Sequence, residues 1–373
     1  MNKPSNAGLY IHVPFCQSKC PYCAFYSSTS LSLVDRWMKT LQREMLLYRD
    51  DFPIFDTLYV GGGTPTLLNH GQWSALMDAL FTCFSFSTQS EVTVEANPDD
   101  VNADLMGLLR SLGVNRISLG VQSFHDRELH ALKRRHTSQR AIEALACIRK
   151  SGFCNLGVDL MYGLPGQTEG VWLATLRRAL EFEPEHISCY QLTIEEQTPF
   201  GKMRDRGLIH PLQEEEERGL FILTSTYLEE KGYLHYEISS YARGRENTCR
   251  HNMKYWQHAP YLGLGPSAHS YLGERRWWNL RSVEGYCRAL SKGKTPVAGL
   301  ETLTEEQRYL ECLLLGLRTA DGIDLRNLRH RPQTEKLLND LEASGLVRVD
   351  EGRLMPTREG FLVADGLPHL FSL

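Results

Sequence analysis

Between Leu9 and Leu192 the chain alternates six short apolar runs with stretches long enough for helices, and that alternation limits it to a parallel α/β sheet. The runs are Leu9–Val13, Thr57–Val60, Val92–Glu95, Arg116–Leu119, Leu156–Leu160 and Ile187–Leu192. They are rich in β-branched and aromatic residues, which strands favour. Val34, Trp37, Met38, Leu41 and Met45 fall on one face of an intervening helix. Further helices are expected at Gly71–Phe84, Ala103–Leu112, Gln139–Ser151 and Glu169–Glu181, with Asn102 and Thr168 as N-caps. Gly113 and Gly152 stand where two of these helices should stop. Six βα units are too few for a closed eight-stranded barrel. The expected fold is therefore α/β, a partial (β/α)6 barrel, with ligands gathered at the carboxyl ends of the strands.

A charged helix, Gln213–Lys231, and a seventh apolar run, Tyr233–Ser239, follow. Ala242–Gly273, rich in Gly, His and aromatic residues, has little periodicity and reads as a long functional loop. Beyond Pro296 come helices at Thr304–Leu317 and Thr334–Ser344, then Leu346–Val349 and Arg353–Pro356 joined by the turn Asp350-Glu351-Gly352. Helix, helix, hairpin is the outline of a small winged-helix-like α+β domain. The expected division is a core over 1–240, a connecting segment over 241–295 and the C-terminal domain over 296–373.

The 373 residues carry a net charge of −4, so no global basic field exists to hold nucleic acid or an anionic membrane. A nucleic-acid regulator acting through the C-terminal module is the weakest of the functional readings, because acidic residues interleave the basic ones there. No apolar run is long enough to span a bilayer, and Met1–Gly8 is polar, unlike a signal peptide. A cytoplasmic protein is expected, with peripheral membrane contact left open. The ten cysteines then read as reduced thiols or metal ligands rather than disulfides.

Three of the ten form Cys16-x3-Cys20-x2-Cys23, directly after the first strand. Three thiolates can ligate three irons of a [4Fe–4S] cubane and leave the fourth open to a small molecule. Zinc usually takes four protein ligands at two-residue spacings. His12 could supply a fourth ligand, although it lies on the expected strand. Tyr22, Phe15 and Phe25 flank the cysteines, and the two phenylalanines would screen a cluster from water.

This loop resembles the hallmark of the radical S-adenosylmethionine (SAM) superfamily. Gly61-Gly62-Gly63-Thr64-Pro65 follows the second strand and resembles the superfamily's element for the SAM amino group. Glycine there permits close approach and positive φ, and Pro65 could open a helix. Glu95, Gln122, Arg134 and Asp159 come at or near later strand ends. In this order the motifs resemble the oxygen-independent coproporphyrinogen III oxidase group. By position the resemblance implies SAM contacts at Tyr10, Tyr22, Gly62, Gly63, Thr64, Glu95, Gln122, Arg134 and Asp159, with Gln191 and Ala268 less firmly placed. Arg135 competes with Arg134. It further implies SAM bound through its amino and carboxylate groups to the open iron of the cluster.

Phe25 stands where that oxidase has a further cysteine, and only 15 residues precede Cys16, where the oxidase has a long extension. His251-Asn252-Met253-Lys254-Tyr255-Trp256 instead resembles the H-N-x-x-Y-W element of the HemW-type haem chaperones. That resemblance implies haem held by His251, Tyr255 and Trp256 and passed to apo-haemoproteins, respiratory ones near a membrane among them. Imidazole is a good axial ligand and aromatic rings pack on a porphyrin. His258, His269 and Cys249 are rival ligands, and Arg250 could meet a propionate. Coproporphyrinogen III oxidation remains the alternative activity. Whether SAM is cleaved, and whether the protein is a homodimer, stay open.

Overall fold

In a computed structural model the described residues are 6–329 and 333–371. Most of Met1–Gly8 and the last two residues of the expected C-terminal domain lie outside them.

The six expected strands form in order as β1 (Ala7–Val13), β2 (Phe55–Gly62), β3 (Phe86–Ala96), β4 (Arg116–Gln122), β5 (Leu156–Tyr162) and β6 (His186–Gln191). Each is parallel to the next. The intervening helices Val34–Leu47, His70–Cys83, Ala103–Ser111, Ser138–Lys150 and Glu169–Leu180 match the expected ones within two residues. Asn102 and Thr168 do cap theirs through their side chains. Outward residues of the strands, such as Leu9, Ile11, Leu58, Val60, Val92 and Val94, pack in the main core beneath the helices. The alternate residues are more polar: Tyr10 and His12, Thr57 and Tyr59, Thr93 and Glu95, Ser118, Asp159. Strands buried on both faces usually read as continuous apolar runs. A polar inner face therefore marks the concave side of this sheet as a place for ligands.

Tyr233–Ser239 is not one strand. It is part of a pair, β7 (Leu234–Glu237) and β8 (Ser240–Ala242), that joins antiparallel to β6. The long loop expected at Ala242–Gly273 is also corrected. It holds a helix, Arg250–Trp256, and the strands β9 (Tyr261–Leu264) and β10 (His269–Leu272). Strand β9 lies parallel to β1, with Gly8–Ile11 beside Tyr261–Leu264. Then β11 (Arg275–Asn279) and β12 (Val297–Thr302) complete a twelve-stranded sheet of order β12-β11-β10-β9-β1-β2-β3-β4-β5-β6-β8-β7. Its end strands do not pair among the described residues, so the barrel is partial.

Strand β12 lies past Pro296 yet still belongs to this sheet. The C-terminal module's own core begins on helix Glu305–Gly316 and gathers Leu313, Leu317, Ile323, Leu341, Val347 and Leu354. Around it lie β13 (Ile323–Asp324), helix Thr334–Ala343 and the hairpin β14 (Val347–Asp350)–β15 (Arg353–Pro356). Glu351 and Gly352, both at positive φ, make the two-residue hairpin turn. Phe361 leaves this module to pack in the main core, 4.9 Å from the His235 ring.

Candidate functional site

Cys16, Cys20 and Cys23 are free thiols on the loop after β1, and all three face one cavity of about 560 Å³ at the carboxyl ends of the strands. The loop closes at its base, where Cys16 N–H donates to Ser28 O (3.0 Å) and Ser28 N–H donates to Pro14 O (2.7 Å). Thr64 Oγ1 approaches Cys16 Sγ (3.6 Å), and Arg134 Nη1 approaches Cys20 Sγ (3.7 Å). Burial, the largest effect, raises the Cys23 pKa, and the neighbouring Cys20 and Cys16 add to it. Phe15 is buried under the loop, but Phe25 stands 73% exposed at the rim. His12 does not offer a fourth ligand: Nδ1 is 3.0 Å from the Tyr10 hydroxyl and Nε2 is 2.9 Å from Tyr26 O. Among the described residues no three His, Cys, Asp or Glu side chains converge on a single ion.

The glycine run explains itself residue by residue. Gly62 sits at φ +105°, and a Cβ there would lie 2.5 Å from His12 Nδ1. A Cβ on Gly63 would strike Phe15 O at 2.5 Å. On Gly61 it would meet the Tyr59 ring and the Glu95 carboxyl, both at 2.8 Å. Pro65 opens a single 3-10 turn, Pro65–Leu67.

Glu95 accepts from Gly62 N–H (2.9 Å) and from the Tyr59 hydroxyl (2.9 Å). Burial pushes its pKa up to about 7 against those two donors. Asp159 accepts from Ser118 Oγ (2.9 Å) and is also raised by burial, with hydrogen bonds from Ser188 and Ser118 opposing. Gln122 holds φ +68° at a register shift in β4, a strained position of the kind that collects at functional sites. Of the rival arginines, Arg134 donates to Gly120 O (2.8 Å) and approaches Cys20, while Arg135 clamps Asp100 (2.9 Å) and bonds Gln17; both line the cavity. Tyr10, Tyr22, Gly62, Gly63, Thr64, Glu95, Gln122, Arg134, Asp159 and Gln191 all line the cavity. Ala268 does not, being buried at the turn before β10.

The haem candidates lie elsewhere. Helix Arg250–Trp256 enters the inner face of the sheet from the amino ends of the strands and plugs it. Its first amides, Arg250 N–H (3.2 Å) and His251 N–H (3.0 Å), donate to Glu91. Lys254 Nζ pairs with Asp56 (2.7 Å) and donates to Asn6 O (2.7 Å). His251 is 1% exposed. Its Nδ1 is 2.8 Å from Thr57 Oγ1 and its Nε2 is 2.9 Å from the Tyr255 hydroxyl, so both ring nitrogens are engaged. Burial pulls its pKa down to about 3. It is thus a neutral imidazole inside the barrel, not a side chain of an open loop. Trp256 is half-buried at the end of the helix. Cys249 is buried against Glu91, and Arg250 reaches Gln89 O (2.7 Å). His258 stacks on Tyr271 (4.3 Å), and exposed His269 stacks on Trp278 (6.0 Å).

Several residues that shape these sites carry no distinctive sequence signal. Tyr59 and Ser118 read as ordinary strand residues, and Glu91 as a surface carboxylate. Only their place on the inner face of the sheet, every second position, could have pointed to them. A larger cavity, about 960 Å³, lies beside the first and shares Tyr190 and Gln191 with it. Between the barrel and the C-terminal module it is lined by Phe221 and Phe361 and by Glu214, Glu215, Glu217 and Glu359, with Arg218 the single cation among the described residues.

The family model of the radical SAM superfamily matches residues 10–179, and that of the HemN C-terminal domain matches residues 303–363. The chain is 34% identical over 369 residues to the heme chaperone HemW of Mycobacterium tuberculosis, covering 96% of this chain and 93% of that protein. It is 34% identical over 367 residues to the heme chaperone HemW of Bacillus subtilis, covering 95% and 96%. Among solved structures, coproporphyrinogen III oxidase (HemN) from Escherichia coli, a radical SAM enzyme, aligns with a TM-score of 0.84 over 99% of this chain and 90% of its own. At 24% identity that likeness shows the fold alone.

Proposed function

The chain belongs to the HemW family of the radical SAM superfamily, and on that premise we propose that it is a haem chaperone, binding haem and passing it to apo-haemoproteins. The observation that carries the reading is the identity of 34% to two heme chaperones along nearly the whole chain. Cys16, Cys20 and Cys23 would hold a [4Fe–4S] cluster. Three thiols facing one cavity without converging on a point suit a cubane, in which each thiolate meets its own iron. Bound together, cluster and SAM can supply one-electron cleavage of a carbon–sulfur bond. Glu95 would accept from the SAM amino group, Arg134 would meet its carboxylate, and Asp159 and Gln122 its ribose hydroxyls. Tyr22 would lie along the adenine.

In this reading the barrel carries the cofactors, helix Arg250–Trp256 carries the haem element, and the module from helix Glu305–Gly316 onward caps the barrel, with β12 remaining part of the barrel's sheet. Haem is cargo, taken by His251, Tyr255 and Trp256. For His251 to ligate iron, its imidazole has to give up Thr57 or Tyr255. The recipients would include respiratory proteins, met at a membrane surface. Approach would be peripheral, since among the described residues no helix is long and apolar enough to cross a membrane. The adjoining acidic cavity disfavours coproporphyrinogen, whose four carboxylates would face Glu214, Glu215, Glu217 and Glu359.

The test is a haem titration of anaerobically reconstituted protein. Wild type should bind haem, and His251→Ala should bind it about tenfold or more weakly with cluster absorbance unchanged. Wild type that takes up no haem, yet converts coproporphyrinogen with reductant and SAM, would overturn the reading in favour of the oxidase.

A further inference from the structure

The ring of His251 lies at the foot of a column that ends on Glu95. Above it, Tyr59 stacks on the imidazole with centroids 5.2 Å apart and planes at 29°. The Tyr10 ring closes the same space, 6.3 Å from His251 and 6.1 Å from Tyr59. Tyr59 then passes the bare Cα of Gly61 and donates its hydroxyl to Glu95 Oε1 (2.9 Å), while Gly62 N–H holds Oε2 (2.9 Å). The imidazole itself is held in place. Thr57 and Tyr255 hold its two nitrogens, and Gly8 lies so close that a Cβ there would be 3.1 Å from His251 Cε1. The helix beneath is fixed by Glu91 and Asp56.

We propose that His251 is a positioning residue for SAM: by backing the Tyr59 ring, it aims the hydroxyl that orients Glu95. The H-N-x-x-Y-W helix then serves the cofactor site as well as the cargo. The same imidazole that would ligate iron is the one supporting Glu95, so one side chain ties the two sites together. This rests on the reading of Glu95 as a SAM contact.

The experiment measures SAM affinity by equilibrium dialysis on anaerobically reconstituted protein of matched iron content. His251→Ala should weaken SAM binding by about tenfold, the worth of one hydrogen bond to a charged group. His251→Phe, which keeps a ring against Tyr59, should restore most of the affinity. Tyr59→Phe should weaken binding to a similar degree, and adding His251→Ala to it should weaken it little more. A merely structural role would instead lower thermal stability and leave the two affinity losses additive. Should His251→Ala not fold, Thr57→Val, which frees one ring nitrogen, takes its place with the same expected direction. Wild-type affinity in these variants, or full additivity with Tyr59→Phe, overturns the proposal when Glu95→Gln abolishes binding. If Glu95→Gln binds SAM normally, it is the assignment of Glu95 that falls instead.

Discussion

Gly62→Ala should destabilise the protein through two separable effects, and a second substitution should remove one of them. The first is backbone strain. Gly62 lies at φ +105°, where an L side chain is disfavoured by roughly 1–2 kcal/mol. The second is a collision. The new methyl would lie 2.5 Å from His12 Nδ1, and the His12 ring is held by the Tyr10 hydroxyl and by Tyr26 O. Pushing the ring aside breaks both hydrogen bonds, worth about 1 kcal/mol each. The total is about 3–4 kcal/mol, a large share of an ordinary domain's stability. In a His12→Ala background only the strain remains. There Gly62→Ala should lower stability by about 1–2 kcal/mol, a coupling of about 2 kcal/mol. Urea unfolding of the four apo-proteins, followed by tryptophan fluorescence, measures this directly. Equal losses in both backgrounds would refute the clash, and no loss in either would refute the whole account of why glycine stands there.

Two further outcomes follow from buried groups. Glu44 is fully buried and accepts from Gly265 N–H, Asn279 and Tyr286, and burial pushes its pKa up from 4.5 to about 7. A raised acid favours the folded state at low pH and loses that contribution as pH rises through its folded pKa. The stability difference between Glu44→Gln and wild type should therefore move in the variant's favour by about 3 kcal/mol from pH 4.5 to 7; a constant difference would contradict it. Phe361→Ala should loosen the C-terminal module by about 3 kcal/mol or more, since a 5% exposed aromatic leaves the main core. All tryptophans lie outside that module, so far-UV dichroism should begin to change at lower urea than fluorescence; coincident curves would argue against a separable module.

The six parallel strands were legible because each is a compact apolar run, and the cysteine loop and glycine run because their spacing is unusual. The segment after Ala242 was not, for physical reasons. Helix Arg250–Trp256 is only seven residues long, too short to show a period. Its His, Lys and Tyr look like surface residues, yet Thr57 meets His251, Asp56 pairs with Lys254, and Tyr255 bonds the His251 ring, while Glu91 accepts from the helix's first amides. Strand β9 reads Tyr-Leu-Gly-Leu, and its glycine argues against a strand until Gly263 is seen to sit beside His269 O with no room for a Cβ. Tyr59 was invisible for the opposite reason. Tyrosine is a common strand former, and nothing in sequence tells one that packs from one that holds a carboxylate. Arg134 and Arg135 are adjacent and alike in sequence, and in the fold both line the cavity, Arg135 held in addition by Asp100.

The pairing of β9 with β1 also bears on how the molecule is made. Gly8–Ile11 leave the ribosome early but meet Tyr261–Leu264 only after most of the polypeptide has been translated. Until then β1 is a bare edge, open to wrong partners, and the floor of the barrel has no stopper. Nascent protein thus passes through a long interval in which the inner face of the sheet lies open at its amino end. Docking of the late segment, through Glu91 and Asp56, ends that interval.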